Sequence, residues 1–130
     1  ALADGRIGVI ATDHAPHTLA EKALPYPQAP SGVPGLDTLV ASILNLVKNK
    51  RLTMTRAVDA MSTAPAKLLG LTKKGRVAVG AGADLILWDQ QQAWVPSSLD
   101  IYSRCDWSPF EGVTLASRPY GVCVKGIQMV

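Results

Sequence analysis

Three kinds of hydrophobic pattern run along the chain, and each predicts a different element. Residues 7–11, Ile7-Gly8-Val9-Ile10-Ala11, form a short apolar run that stops abruptly at Asp13. A run of this kind, without alternation, predicts a strand buried on both faces. From Gly35 to about Asn49 the apolar residues Leu36, Leu39, Val40, Ile43, Leu44 and Val47 recur at spacings of three and four, which predicts one amphipathic helix. Asp37 near its start and Lys48 and Lys50 near its end complement the helix dipole. Thr53 as N-cap, with Leu52 ahead of it as a staple, predicts a second helix that turns Met54, Ala57, Val58 and Met61 inward. Residues 62–70 predict a short third helix, with Pro65 in its first turn and Gly70 ending it.

Two stretches break these rhythms. Residues 18–34 carry Pro25, Pro27, Pro30 and Pro34 with little apolar periodicity, which predicts a loop. A loop of that length directly after Asp13 and His17 suits a lid or a binding loop. Residues 75–89 are punctuated by glycine and rich in β-branched and aliphatic side chains, a signal for strands and tight turns. Residues 120–130 predict a hairpin that turns at Lys125-Gly126. The chain therefore orders as strand, long loop, helices and a β-rich tail, with the boundary near Thr72: residues 1–72 form one part and 73–130 the other.

Composition changes this picture little. With 130 residues and 48% hydrophobic content, the chain can bury a real core. The net charge of +3 is spread out; its densest group, Lys73-Lys74-Gly75-Arg76, lacks interleaved aromatics, so no nucleic-acid role is expected. No apolar run approaches the ~20 residues of a membrane span, and residues 1–6 lack the order of a signal peptide. Cys105 and Cys123 fit no metal or disulfide pattern, which favours a cytoplasmic setting. The chain has no initiator Met and begins as if cut from something longer.

The chemistry concentrates in Asp13-His14-Ala15-Pro16-His17, which holds both histidines of the chain. A carboxylate at a strand end serves as a metal ligand, a proton carrier or a turn cap. A zinc site made wholly within this chain would need three or four ligands, and no Cys/His set supplies them. Asp84, Arg76 and Glu111 read as structural.

That segment, followed by a proline-rich loop and Ser31-Gly32-Val33-Pro34-Gly35-Leu36, resembles the last-strand segment of dihydroorotases of the amidohydrolase superfamily. Ser62-Thr63-Ala64-Pro65-Ala66 is similar to the family's Asn-Pro-Ala segment, with Ala64 in place of the usual Asn, and residues 75–89 resemble the opening of the superfamily's small β domain. Ser108-Pro109-Phe110-Glu111-Gly112 matches a further dihydroorotase segment. The resemblance implies an α/β fold: the C-terminal end of a (β/α)8 barrel, with its last strand and helices, followed by part of a small β-sandwich domain. It implies reversible cyclisation of N-carbamoyl-L-aspartate to L-dihydroorotate, with Zn2+ (one or two ions) as cofactor. Asp13 would then be a zinc ligand and the catalytic proton carrier. His17 would bind the substrate carboxylate, backbone near Pro34 and Gly35 would meet the ring, and His14 would support the site. The family's His-X-His pair, its bridging Lys and two further His would lie ahead of residue 1, so the fragment alone is expected to be inactive. The small-molecule substrate would be the main partner, with a homodimer or association with aspartate transcarbamoylase as further possibilities. Two alternatives stay open on the same scaffold: another cyclic amidohydrolase, such as an allantoinase or hydantoinase, or a non-catalytic partner of aspartate transcarbamoylase.

Overall fold

The computed structural model describes residues 1–89 and 91–129. An opening turn at residues 2–5 and a segment without regular structure lead to α1 (Leu19–Lys22), α2 (Leu39–Lys48) and a continuous helical run built of α3 (Met54–Val58), a π-helical turn (Asp59–Thr63) and α4 (Ala64–Leu68). The β tail follows, with β1 (Leu85–Trp88), a 3-10 turn (Ser98–Asp100), β2 (Pro119–Val124) and β3 (Ile127–Gln128) in one antiparallel sheet of order β1-β2-β3.

The helix predicted from the three-and-four spacing forms, but three residues later than its apolar pattern begins at Leu36. Residues 36–38 make a turn, so Leu36 is left exposed, and α2 buries Ala41, Ile43 and Leu44. Ile43, Leu52 and Ala57 are the centre of the core, with Ile10, Leu39, Val47 and Met61 packed around them.

Thr53 caps α3 as expected, its hydroxyl accepting from the Arg56 N–H at 3.2 Å. The separate third helix does not exist, because a π turn joins it to the second. The residues that turn inward there are Ala57 and Ala60, both fully buried, whereas Val58, expected inward, is 41% exposed. Val58 follows Ala57 by one residue, about 100° around the helix, and so points away from the face that Ala57 buries.

The opening segment does not form the expected strand: residues 8–12 lie outside any helix or turn and pair with no strand among the described residues. A buried parallel strand needs neighbours on both sides, and the segment from residue 18 to 69 supplies only turns and helices. Other groups hold its backbone instead. The Arg56 guanidinium donates to the carbonyls of Ile7, Gly8 and Leu2, and it is itself paired with Asp59. The Ile10 N–H donates to the Ala60 carbonyl at 3.0 Å.

That last bond follows from the π turn. Ala64 directs its N–H to Asp59, five residues back, and the residue five beyond Ala60 is Pro65, which has no N–H. The Ala60 carbonyl is thereby released from the helix and meets the opening segment three residues before Asp13.

In the tail only residues 85–88 of the expected 75–89 stretch become a strand; Val77 and Val79 lie exposed outside it, Val79 in a turn. Leu85, Ile86 and Leu87 pair with Cys123, Val122 and Gly121, and the register slips between Leu87 and Trp88. The hairpin turns where expected, with Lys125 and Gly126 both at positive φ, as a type I′ turn requires. Val130, the last residue of the expected hairpin, lies outside the described residues. Asp84 is structural: it accepts from the Lys125 N–H at 2.7 Å and pairs with Lys74, which ties the hairpin to the turn before β1.

The tail docks on the helical run through Gly75. Its φ is +78°, the Thr63 hydroxyl donates to its carbonyl at 2.8 Å, and a Cβ there would lie 2.6 Å from that of Ala66.

Candidate active site

Asp13 ends the opening segment in the left-handed region, at φ +45°. Aspartate tolerates this conformation better than most residues, and here it redirects the chain. The segment beyond it is clamped to residues 32–36 by two hydrogen bonds: Ala15 N–H to the Val33 carbonyl at 3.1 Å, and Leu36 N–H to Nδ1 of His14 at 3.2 Å.

Two glycines permit the approach. A Cβ on Gly35 would meet the Thr12 carbonyl oxygen at 3.3 Å. One on Gly32, at φ +100°, would sit 2.5 Å from the Ala15 Cβ, so that position accepts no side chain without displacement.

His14 thus has a definite part. An imidazole nitrogen that accepts a hydrogen bond carries no proton, so the bond from Leu36 places any ring proton of neutral His14 on Nε2. The ring acts as a strap between the Asp13 turn and the loop containing Pro34 and Gly35.

The proline-rich loop is more ordered than its composition predicts. Thr18 and Glu21 make a reciprocal capping box on α1, with the Thr18 hydroxyl accepting from the Glu21 N–H and the Glu21 carboxylate accepting from the Thr18 N–H at 2.7 Å. These bonds, the hydroxyl's bond to the carboxylate foremost, hold the Glu21 carboxyl below the ordinary glutamate range. Lys22 closes the loop by donating to the carbonyls of Pro30 and Gly32, at 2.7 and 3.1 Å. The Thr-x-x-Glu signal for α1 was present in the sequence, outweighed by four prolines.

The tail also reaches the site. Trp107 donates its indole N–H to the His17 carbonyl at 2.7 Å, and the Tyr102 N–H donates to Asp37 at 3.2 Å. Neither contact had a signal in the local sequence, since the partners stand 90 and 65 residues apart.

The residues singled out from sequence are therefore gathered in part. The Asp13 and His17 segment and the Pro34-Gly35 loop form one clamped unit. The Asp13 carboxylate is exposed and makes no hydrogen bond or ion pair among the described residues, so its lone pairs are free for a metal ion or a proton. Among the described residues no group of three or more His, Cys, Asp or Glu side chains is placed to hold a metal ion. Hollows of about 620 Å3, beside Trp88 and Tyr120, and about 180 Å3, between α2 and Ala116, lie in the chain, and none of the four expected site residues lines them. No helix among the described residues is long and apolar enough to cross a membrane.

Residues 1–128 match the sequence profile of the Amidohydrolase family. The chain is 48% identical over 111 residues to a dihydroorotase of Halobacterium salinarum, covering 85% of this chain and 26% of that protein. It is 41% identical over 124 residues to a dihydroorotase of Clostridioides difficile, covering 94% of this chain and 29% of that one. Among solved structures it superposes on a D-hydantoinase (dihydropyrimidinase) from Thermus sp. with a TM-score of 0.87 at 36% identity, covering 99% of this chain and 29% of that one. An L-hydantoinase (dihydropyrimidinase) from Arthrobacter aurescens gives a TM-score of 0.89 at 31% identity, covering 99% and 30%. The chain thus spans less than a third of the length of the relatives it matches.

Proposed function

The chain belongs to the amidohydrolase family, and from that premise we propose that it is the C-terminal part of a dihydroorotase. The parent enzyme would close N-carbamoyl-L-aspartate to L-dihydroorotate and water, reversibly, in pyrimidine biosynthesis. The observation that carries this reading is the Asp13-His14-Ala15-Pro16-His17 segment, clamped through Ala15 and His14 onto residues 32–36, in a chain 48% identical to a dihydroorotase.

In this reading residues 1–72 complete a (β/α)8 barrel and residues 73–130 contribute to a small β-sandwich domain, with the division at Thr72. The segment 7–11 becomes the last barrel strand once its neighbours are supplied. Asp13 then stands at the carboxyl end of that strand, where barrels of this kind place their chemistry.

The donor chemistry fits zinc as one corner of a site. Asp13 offers an unengaged carboxylate, a ligand type zinc accepts, and further ligands would come from elsewhere in the protein. Zinc, when bound, would supply Lewis-acid polarisation of the amide carbonyl. The chain's own residues do the rest. Asp13 holds the proton that moves to or from the ring nitrogen. His17 anchors the substrate carboxylate, and backbone at Pro34 and Gly35 bounds the ring, in a position made possible by the missing Cβ at Gly35.

The hydantoinase neighbours support a second reading, a cyclic amidohydrolase of another ring. The two differ in whether the substrate carries a carboxylate for His17. The test is the full-length metal-loaded enzyme assayed on dihydroorotate, hydantoin and allantoin, with D13N and H17A beside it. The expected result is turnover of dihydroorotate above the other two, reduced about 10²- to 10⁴-fold by D13N, as for loss of a general acid–base group. Preference for hydantoin, indifferent to H17A, would decide for the second reading.

A further inference from the structure

We propose that Trp107 is a positioning residue for the substrate-binding imidazole of His17, set in place by the Ser108-Pro109-Phe110-Glu111-Gly112 turn; this rests on the proposed role of His17. The evidence is a peptide plane held at both edges. The carbonyl of His17 accepts the Trp107 indole N–H at 2.7 Å, short and well within hydrogen-bond range. The N–H of the same peptide, belonging to Thr18, donates to the Glu21 carboxylate at 2.7 Å. A rigid peptide held at both edges fixes the position of the His17 Cα. On its other side Ala15 is tied to Val33 and Pro16 has a fixed φ, so rotation about the His17 Cα–C bond is limited and the direction of its Cα–Cβ bond is set from both sides.

The turn after Trp107 is built to hold it. Ser108 is buried, its N–H donates to the Glu111 carboxylate at 3.2 Å, and its hydroxyl accepts from the Phe110 N–H at 3.2 Å. The Glu111 N–H returns to the Ser108 carbonyl at 3.2 Å. On the other side, the thiol of Cys105 donates to the Trp107 carbonyl at 3.7 Å. The same arm is moored again where Tyr102 meets Asp37, just past the far end of the proline-rich loop. The tail therefore grips that loop at its entry and beyond its exit, and Trp107 is the grip that acts on the site.

The test is a double-mutant cycle in the full-length enzyme. W107F keeps the aromatic bulk and removes the donor. We expect it to raise KM for dihydroorotate about 3- to 10-fold with little change in kcat, the size of one lost neutral hydrogen bond expressed in binding. In the H17A background W107F should have no further effect on KM. E21Q, which loosens the opposite edge of the same peptide, should shift KM in the same direction, and it serves in place of W107F if thermal melting shows that variant unfolded. Additive effects of W107F and H17A, or an equal fall in kcat and kcat/KM at constant KM, would overturn the positioning role while leaving the substrate reading intact. If another cyclic amide is preferred but the two substitutions remain coupled on it, the substrate reading fails and the positioning role stands.

Discussion

Gly70 and Gly75 both hold left-handed backbone, at φ +67° and +78°, yet a side chain would meet very different surroundings at the two positions. Nothing lies within 4 Å of a Cβ on Gly70, which ends α4 over open space. A Cβ on Gly75 would meet the Ala66 Cβ at 2.6 Å, the Ser62 carbonyl oxygen at 3.0 Å and the Thr63 Cα at 3.2 Å. G70A should therefore cost only the conformational penalty, roughly 1 kcal/mol. G75A adds overpacking between the tail and the helical run and should cost about 2–4 kcal/mol. Urea unfolding of the two variants checks the contrast, and equal destabilisation would show that the tail does not press on the helix at Gly75. At this scale the sequence was partly legible. Gly70 was identifiable as a helix terminator because the helix before it carries its own signal, whereas the structural reading of Asp84 came from the resemblance of residues 75–89 to the superfamily's small β domain. The function of His14 as a strap was not identifiable, because its partner Leu36 is 22 residues away.

Pro65 acts on a whole element. A regular helix would use every N–H in turn, but proline supplies none, and the π turn before it leaves the Ala60 carbonyl for Ile10. P65A would restore a donor five residues beyond Ala60, in competition with the Ile10 N–H. Protection of the Ile10 amide against hydrogen exchange should then fall about 3- to 10-fold, the scale of one contested hydrogen bond, and hold on the Asp13 segment should loosen with it. Unchanged protection at Ile10 in P65A would sink this account. Sequence patterning found α2, the Thr53 cap and the type I′ hairpin because each is specified locally, by spacing, by one hydroxyl or by a Lys-Gly pair. It could not find the π turn, since apolar spacing at 57 and 60 is the same for two helices as for one interrupted run. It overstated the strand at 7–11 because an apolar run records a buried environment rather than a partner, and no strand pairs with 7–11 among the described residues.

On the scale of the molecule, exposed apolar side chains gather around the end of the helical run. Leu68, Leu69 and Leu71 around the end of α4 and Val77 and Val79 beyond are all exposed, Val79 completely. The opening segment has its carbonyls met by Arg56 rather than by strands. Both features fit a chain that spans less than a third of the length of its relatives. They lead to the last prediction. Tight zinc binding by protein alone takes three or four ligands in tetrahedral array. The chain offers Asp13, while Nδ1 of His14 is committed to Leu36, and no group of three candidate ligands converges among the described residues. The purified 130-residue chain should therefore retain far less than one equivalent of zinc after dialysis, measured by atomic absorption, and should not turn over dihydroorotate. The clamp of residues 12–15 on residues 32–36 is made within the chain, so it should persist without metal, visible as protection of the Ala15 and Leu36 amides. Stoichiometric zinc or measurable turnover by the isolated chain would mean that the site is complete in these residues, and that the reading of Asp13 as one corner of a larger centre is wrong.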